Sequence, residues 1–184
     1  MVNQVLTTIL ERSSIRAYTP EPLTEAQLGI LKKAALASPT AMNRQTQRFV
    51  FVTDKAKLEE LEKGIFESIL KKGDPAFVER MKSRGGRVTY GAPLVVIICA
   101  APGHFARVDA GIAVENIALA AKSIGLDTVI LGMPEGAFAG DDGKAMRDSF
   151  RFPDGYEFCI AISVGHRATD KEPHTWDESH VIVI

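Results

Sequence analysis

Apolar residues at Val2, Val5, Leu6, Ile9 and Leu10 recur at intervals of three and four, which predicts an opening amphipathic helix over about residues 2–12. A second helical pattern, Leu28, Leu31, Ala35 and Leu36, follows Thr24-Glu25-Ala26-Gln27. That is the spacing of a capping box, in which the hydroxyl and the carboxamide each satisfy a free backbone N–H. The helix is expected to stop near Ala37, because Pro39 pushes Ser38 out of the helical region. Phe49-Val50-Phe51-Val52 is a short unbroken apolar run and reads as a buried strand. Asp54 then caps a charged helix carrying Leu58, Leu61, Ile65, Phe66 and Ile69.

Pro93-Leu94-Val95-Val96-Ile97-Ile98-Cys99-Ala100 is the clearest strand, and its lack of alternation predicts cover on both faces. The stretch Asp109 to Ser123 is apolar around most of a helical circumference, with Gly125 placed to end it, so it belongs in a core or a large subunit interface. Asp127 to Leu131 predicts another strand, and Gly132-Met133-Pro134-Glu135-Gly136 is expected to be irregular. A short helix over about Asp142 to Phe150, a turn at Pro153-Asp154-Gly155 and a strand from Phe158 to Gly165 follow. The polar tail His166 to Ser179 ends in Val181-Ile182-Val183-Ile184, a terminal strand in search of another sheet or another subunit. No repeat or low-complexity linker divides the chain, so residues 1–184 are expected to form a single domain. Thr53-Asp54-Lys55 after the first strand lacks the glycines of a dinucleotide or P-loop fingerprint.

Composition narrows the function classes. With 22 Lys and Arg against 23 Asp and Glu, the net charge of -1 argues against a nucleic-acid binder that lives on counterion release. No segment approaches the length of a membrane span, and Met1 to Leu6 lacks a leader pattern, so a cytoplasmic protein that neither crosses a membrane nor binds nucleic acid is expected. Cys99 and Cys159 each sit in an apolar strand, where a thiol behaves as a small hydrophobe. The His residues at 104, 166, 174 and 180 show no metal-ligand spacing, and no metal is expected. Lys71, Lys72, Arg80, Lys82, Arg84 and Arg87 crowd a glycine- and proline-broken stretch that reads either as a basic cover over an anionic ligand or as a solvated excursion.

Two segments carry candidate chemistry. Glu11-Arg12-Ser13-Ser14-Ile15-Arg16-Ala17-Tyr18 offers two guanidiniums and two hydroxyls within five residues, many donors and few acceptors. Such a set suits phosphate or a ring edge bearing carbonyl and imide groups, while a solvated helix end is the plainer alternative. Ser38-Pro39-Thr40-Ala41-Met42-Asn43-Arg44-Gln45-Thr46-Gln47 is a polar loop between helix and strand, a frequent location of function.

These two segments, followed by the Asp109 to Ala121 helix and Gly125-Leu126-Asp127, resemble the nitroreductase family of FMN-dependent oxidoreductases over nearly the whole chain. The resemblance implies an α+β fold, a mixed or antiparallel sheet flanked by helices, in an intertwined homodimer with two FMN sites at its interface. Carried over by position, Arg12, Ser13, Ser14 and Arg16 contact the cofactor from one subunit, and Pro39, Thr40, Ala41 and Asn43 from the other. Arg12 and Ser14 are assigned to the ribityl phosphate side and Arg16 to the ring, with backbone N–H groups of Leu131 and Gly132 near the hydride-exchanging edge. Lys171 is the candidate for the phosphate in the C-terminal tail. The apolar helix becomes the dimer core, and Val181 to Ile184 an arm that adds to the partner's sheet.

The implied activity is ping-pong transfer of hydride from NADH or NADPH through flavin N5 to a nitroaromatic, a quinone or a similar small acceptor. No side chain is assigned as catalytic; Glu135, His104 and Tyr90 are read as structural or solvated. Dehalogenation, flavin destruction and peptide oxidation on the same fold remain alternatives, as does a non-catalytic FMN or nucleotide binder. Three departures stand out: Gln45-Thr46-Gln47 replaces the usual Gln-Pro-Trp, the tail lacks a clear Lys or Arg pair, and the cover between Glu67 and Tyr90 is short.

Overall fold

The computed structural model describes residues 3–73, 75–83 and 86–184, with backbone alone at 72, 77, 80 and 83. Val2 of the predicted first helix, and Arg84, Gly85 and the Lys72 and Arg80 side chains of the basic stretch, lie outside the described residues.

Helix α1 runs Gln4–Glu11, and the Asn3 side chain accepts from the N–H groups of Val5 and Leu6. Its apolar stripe is present but buries nothing: Val5, Leu6, Ile9 and Leu10 are all exposed. Helix α2, Glu25–Leu36, begins with the full capping box of Thr24 and Gln27 and buries Leu28, Leu31 and Ala35. Strand β1, Gln47–Val52, starts two residues before the apolar run. Helix α3, Lys55–Lys72, is capped by the Asp54 carboxylate and closed by Gly73 at φ 70°. Within the basic stretch the chain forms a further helix, α4, Pro75–Ser83, held to the core by Met81. Lys71 pairs with Asp142 and Lys82 with Glu79, as expected of a solvated excursion.

Strand β2, Leu94–Ala100, is buried at every position. Leu94, Val96, Ile98 and Ala100 pack on the side of α2, while Val95, Ile97 and Cys99 pack on the side of α3, so each face of the pleat meets its own core. Helix α5, Ala106–Ser123, lies across the first of these faces. Strand β3, Asp127–Leu131, follows the turn at Gly125. Helix α6, Glu135–Phe138, corrects the expectation of an irregular Gly132 to Gly136. Phe138 stacks on Phe152 and Phe158 at ring separations of 4.9 and 5.5 Å, and this burial outweighs the poor helix propensity of Gly136. Helix α7, Lys144–Ser149, and strand β4, Glu157–Gly165, complete the regular elements.

The sheet order is β1-β2-β4-β3, with every neighbouring pair antiparallel. A bulge in the β2–β4 ladder leaves Cys159 unmatched, and it sends Cys159 and Cys99 to opposite faces of the sheet. Val181 to Ile184 forms no strand within the chain and is exposed throughout, while the Ser14–Ile15 segment lies along the β3 edge and β1 pairs only with β2. No helix among the described residues is long and apolar enough to cross a membrane.

Candidate functional site

The first donor segment is an extended ribbon laid along β3. The Ile15 N–H donates to the Thr128 carbonyl at 2.9 Å, and Ser14 bridges Thr128 in parallel sense. On its other side the Thr19 N–H donates to His166 and the Ala168 N–H donates to Ala17, each at 2.9 Å. Ser13 and Ile15 are buried, so the alternation along this part of the ribbon turns Ser14 and Arg16 the other way; Tyr18, beyond it, is buried as well. The Tyr18 hydroxyl donates to the Ile15 carbonyl at 2.8 Å, and burial, with the Asp127 charge second, raises its pKa far above the ordinary phenol value. It acts as a fixed neutral donor. Asp127, itself buried, accepts two bonds from Arg167, at 2.7 Å from Nε and 2.9 Å from Nη2. That fork clamps the start of the C-terminal tail onto β3.

The structure thus assembles Arg12, Ser13, Ser14, Arg16 and the tail into one neighbourhood. Arg16 is exposed, and its Nη1 reaches only the Ser14 carbonyl at 3.4 Å, so its guanidinium is open to an anion or an acceptor-rich ring. Arg12 meets Glu115 of α5 at 3.4 Å. Ser13 is buried and donates to the Lys171 carbonyl at 3.3 Å, so its hydroxyl hydrogen serves the fold. Lys171 is placed beside the cluster by that contact, with its side chain in solvent.

The second segment is built differently. Met42, Asn43 and Gln45 have φ of 52°, 51° and 49°, three left-handed residues among four, none of them glycine. Such backbone persists only where surrounding contacts hold it, and it recurs at ligand sites. Two short backbone bonds, Asn43 N–H to Thr40 and Arg44 N–H to Ala41, are joined by side chains: Thr40 Oγ1 accepts from the Gln45 N–H at 3.0 Å, and Asn43 Oδ1 accepts from Gln45 Nε2 at 2.7 Å. Ser38 accepts from Asn116 Nδ2 at 3.0 Å. Most telling is Asp109, a buried carboxylate in the first turn of α5 that accepts from the Ala41 N–H at 3.1 Å. Asp109 and Asn116 were not among the residues singled out from sequence; the available signal was a lone acid opening an otherwise apolar helix.

Within one chain the two segments stay apart. One borders β3 and the other runs into β1, the opposite edges of the sheet. Three interstrand steps separate those edges, about 14 Å. Leu131 is buried in the core and can offer only backbone, whereas Gly132 is exposed and a Cβ there would meet nothing within 4 Å. Glu135 pairs with Arg107 at 2.5 Å, His104 is exposed beside Phe105, and Tyr90 is a partly buried member of the α3-side core. Among the described residues no cluster of three or more His, Cys, Asp or Glu could hold a metal ion.

A four-stranded antiparallel sheet with helices on both faces, and a donor-rich segment at each edge, defines an α+β protein with two candidate binding segments that its own fold keeps apart. The chain belongs to the nitroreductase family, whose model matches residues 9–166. A nitroreductase with bound FMN from Desulfitobacterium hafniense is 33% identical, with all of both chains covered and a TM-score of 0.94. Another FMN-bound nitroreductase, from Bacteroides fragilis, is 26% identical over all of both chains at a TM-score of 0.91. The NADPH-flavin oxidoreductase of Vibrio harveyi is 27% identical over 99% of this chain and 73% of its own length.

Proposed function

We propose that this protein is an FMN-dependent NAD(P)H oxidoreductase acting as a homodimer, with a quinone or nitroaromatic as second substrate. The observation that carries the reading is the pair of incomplete half-sites: Arg16 and Arg12 without saturated partners at one edge, the strained Thr40 to Asn43 loop at the other. Exposed Val5, Leu6, Ile9 and Leu10 of α1, with Val108 and Ile112 of the adjoining α5, form an apolar face that a second copy covers. The exposed Val181 to Ile184 arm supports the same assembly.

The donor set fits FMN. Arg12 and Ser14 suit phosphate and ribityl oxygens, and Arg16 suits the ring edge where negative charge gathers on reduction. Pro39, Thr40, Ala41 and Asn43 supply backbone and amide groups from the other subunit, Leu131 and Gly132 supply backbone, and Ser13 and Lys171 border the phosphate end. When bound, FMN supplies a two-electron carrier between NADH or NADPH and the second substrate, by alternating occupation of one site. For a quinone the balance is one hydride and one proton taken up to give the hydroquinone. Arg16 holds fixed positive charge against the ring, and the tethered loop limits its motion; solvent supplies the proton, so no side chain need act as an acid.

Purified protein should carry flavin absorbance that bleaches when NADH or NADPH is added without oxygen, and should sediment as a dimer. A colourless protein that takes up no FMN would sink the proposal, as would a monomer that turns over at full rate.

A further inference from the structure

The guanidinium of Arg12 is braced by a carboxylate from another element. Arg12 ends α1, where its backbone N–H donates to the Thr8 carbonyl at 3.1 Å. Its side chain, 20% exposed, reaches across to α5, and Nε lies 3.4 Å from Glu115 Oε1. The contact engages Nε and not the two terminal nitrogens. A guanidinium is a rigid planar fork, so a carboxylate at Nε fixes its plane while Nη1 and Nη2 keep the paired donors that suit a phosphate.

Glu115 stands on a firmly held helix. Val114 and Ile117 beside it are buried, and the adjacent Asn116 donates to Ser38 at 3.0 Å. In the first turn of the same helix, Asp109 accepts from the Ala41 N–H. Helix α5 thus touches both donor segments, the loop through Asp109 and Asn116 and the start of the ribbon through Glu115. A side chain mounted on a packed helix holds its partner more closely than one on a loop.

We propose that Glu115 is a positioning residue for the cofactor phosphate: paired with Nε, it sets the Nη1–Nη2 fork of Arg12 in place before the phosphate arrives. A free arginine side chain carries much rotamer freedom, and one that is already held gives up less of it on binding. Glu115 itself acts only through Arg12. The inference rests on the reading of Arg12 as a phosphate ligand of FMN.

Equilibrium titration of the full-length, flavin-free protein with FMN and with riboflavin, which lacks the phosphate, separates phosphate positioning from general damage. Glu115→Gln keeps the volume and removes the charge, and the 43% exposure of this side chain leaves the fold room to accept it. FMN should bind about fivefold more weakly to this variant, and riboflavin as to wild type. In an Arg12→Lys background the same change should alter FMN affinity less than twofold, because an ammonium has one nitrogen and cannot hold a carboxylate and offer a fork at once. FMN binding to Glu115→Gln that equals wild type, or exceeds it because the carboxylate competes with the phosphate, overturns the inference. So does an equal loss for riboflavin. Wild-type protein that binds no FMN brings down the reductase reading and this inference together, whereas wild-type binding that Glu115→Gln leaves unchanged brings down this inference alone.

Discussion

The two donor-bearing segments solve one problem, presenting polar groups at a sheet edge, by opposite means. Arg12 to Tyr18 is fastened by its backbone, strand-like, between β3 and the tail, with Ile15 buried to the last atom. Met42 to Gln45 has left-handed backbone that no sheet ladder supports, and beyond two short-range backbone bonds the loop is fastened by side chains, above all by Asp109. A ribbon secured through its backbone tolerates change in its outward side chains. A loop secured through side chains depends on each of them.

The largest effect should come from Ile15→Ala. Removing a fully buried branched side chain typically destabilises by about 2–4 kcal/mol, and denaturant unfolding should register a loss of that size. If stability barely changes, the ribbon is not docked as described. Asp109→Ala should come next. It leaves the Ala41 N–H unpaired and the strained loop untethered, which predicts about 1–3 kcal/mol lost and at least tenfold weaker FMN binding in equilibrium titration. Equal damage to FMN affinity from a buried α5 alanine-to-glycine change would show that Asp109 acts only through helix stability.

Arg16→Ala probes the opposite side of the comparison. Its guanidinium makes one long contact to its own ribbon, so unfolding free energy should stay within about 0.5 kcal/mol of wild type. FMN affinity should nevertheless fall, and the flavin midpoint potential should drop as the fixed cation is lost; an unchanged potential would remove Arg16 from the ring. The smallest effect serves as a control far from both segments. Hydrogen bonds from Lys57 and Ser149 hold the Glu60 carboxyl below its ordinary range. A folded-state pKa below the unfolded value adds stability above the unfolded pKa, and that stability is lost as pH falls through the folded one. Because the group is solvent-exposed the term should be no more than about 0.5 kcal/mol, and Glu60→Gln should flatten it when unfolding is followed from pH 6 down to pH 3.

Cysteine reactivity offers a check on the sheet itself. Burial, with Cys159 nearby as a lesser cause, pushes the Cys99 thiol up to about 12, and both cysteines are enclosed in the native chain. Thiol reagents at pH 8 should label neither until the protein unfolds; fast labelling of Cys99 would mean β2 is not central.

Much of this architecture was legible in order along the chain. The Thr24 capping box, the Asp54 cap, the doubly covered β2 run and the Gly125 stop act within a few residues, so their signals are local. The donor character of residues 12–16 and the loop at 38–47 was equally plain. Helix α6 was not, because its stability comes from Phe138 meeting Phe152 and Phe158, partners whose arrival no local propensity records. Nor was the fate of Val181 to Ile184, whose apolar run suits a strand but pairs with no strand of its own chain.

Sequence by itself therefore determined most of the helices and strands, α4 and α6 aside, and which residues can donate hydrogen bonds, since periodicity, caps and side-chain chemistry are written residue by residue. Tertiary structure alone decided that the order is β1-β2-β4-β3, which sets the two donor segments at opposite edges, and that Asp109 reaches across 68 residues to Ala41. Those outcomes depend on which surfaces meet once the chain has closed its long loops, and sequence neighbours carry no trace of such meetings. The same holds for α5: its composition called for burial on most sides, but packing buried one face and left Val108 and Ile112 in solvent.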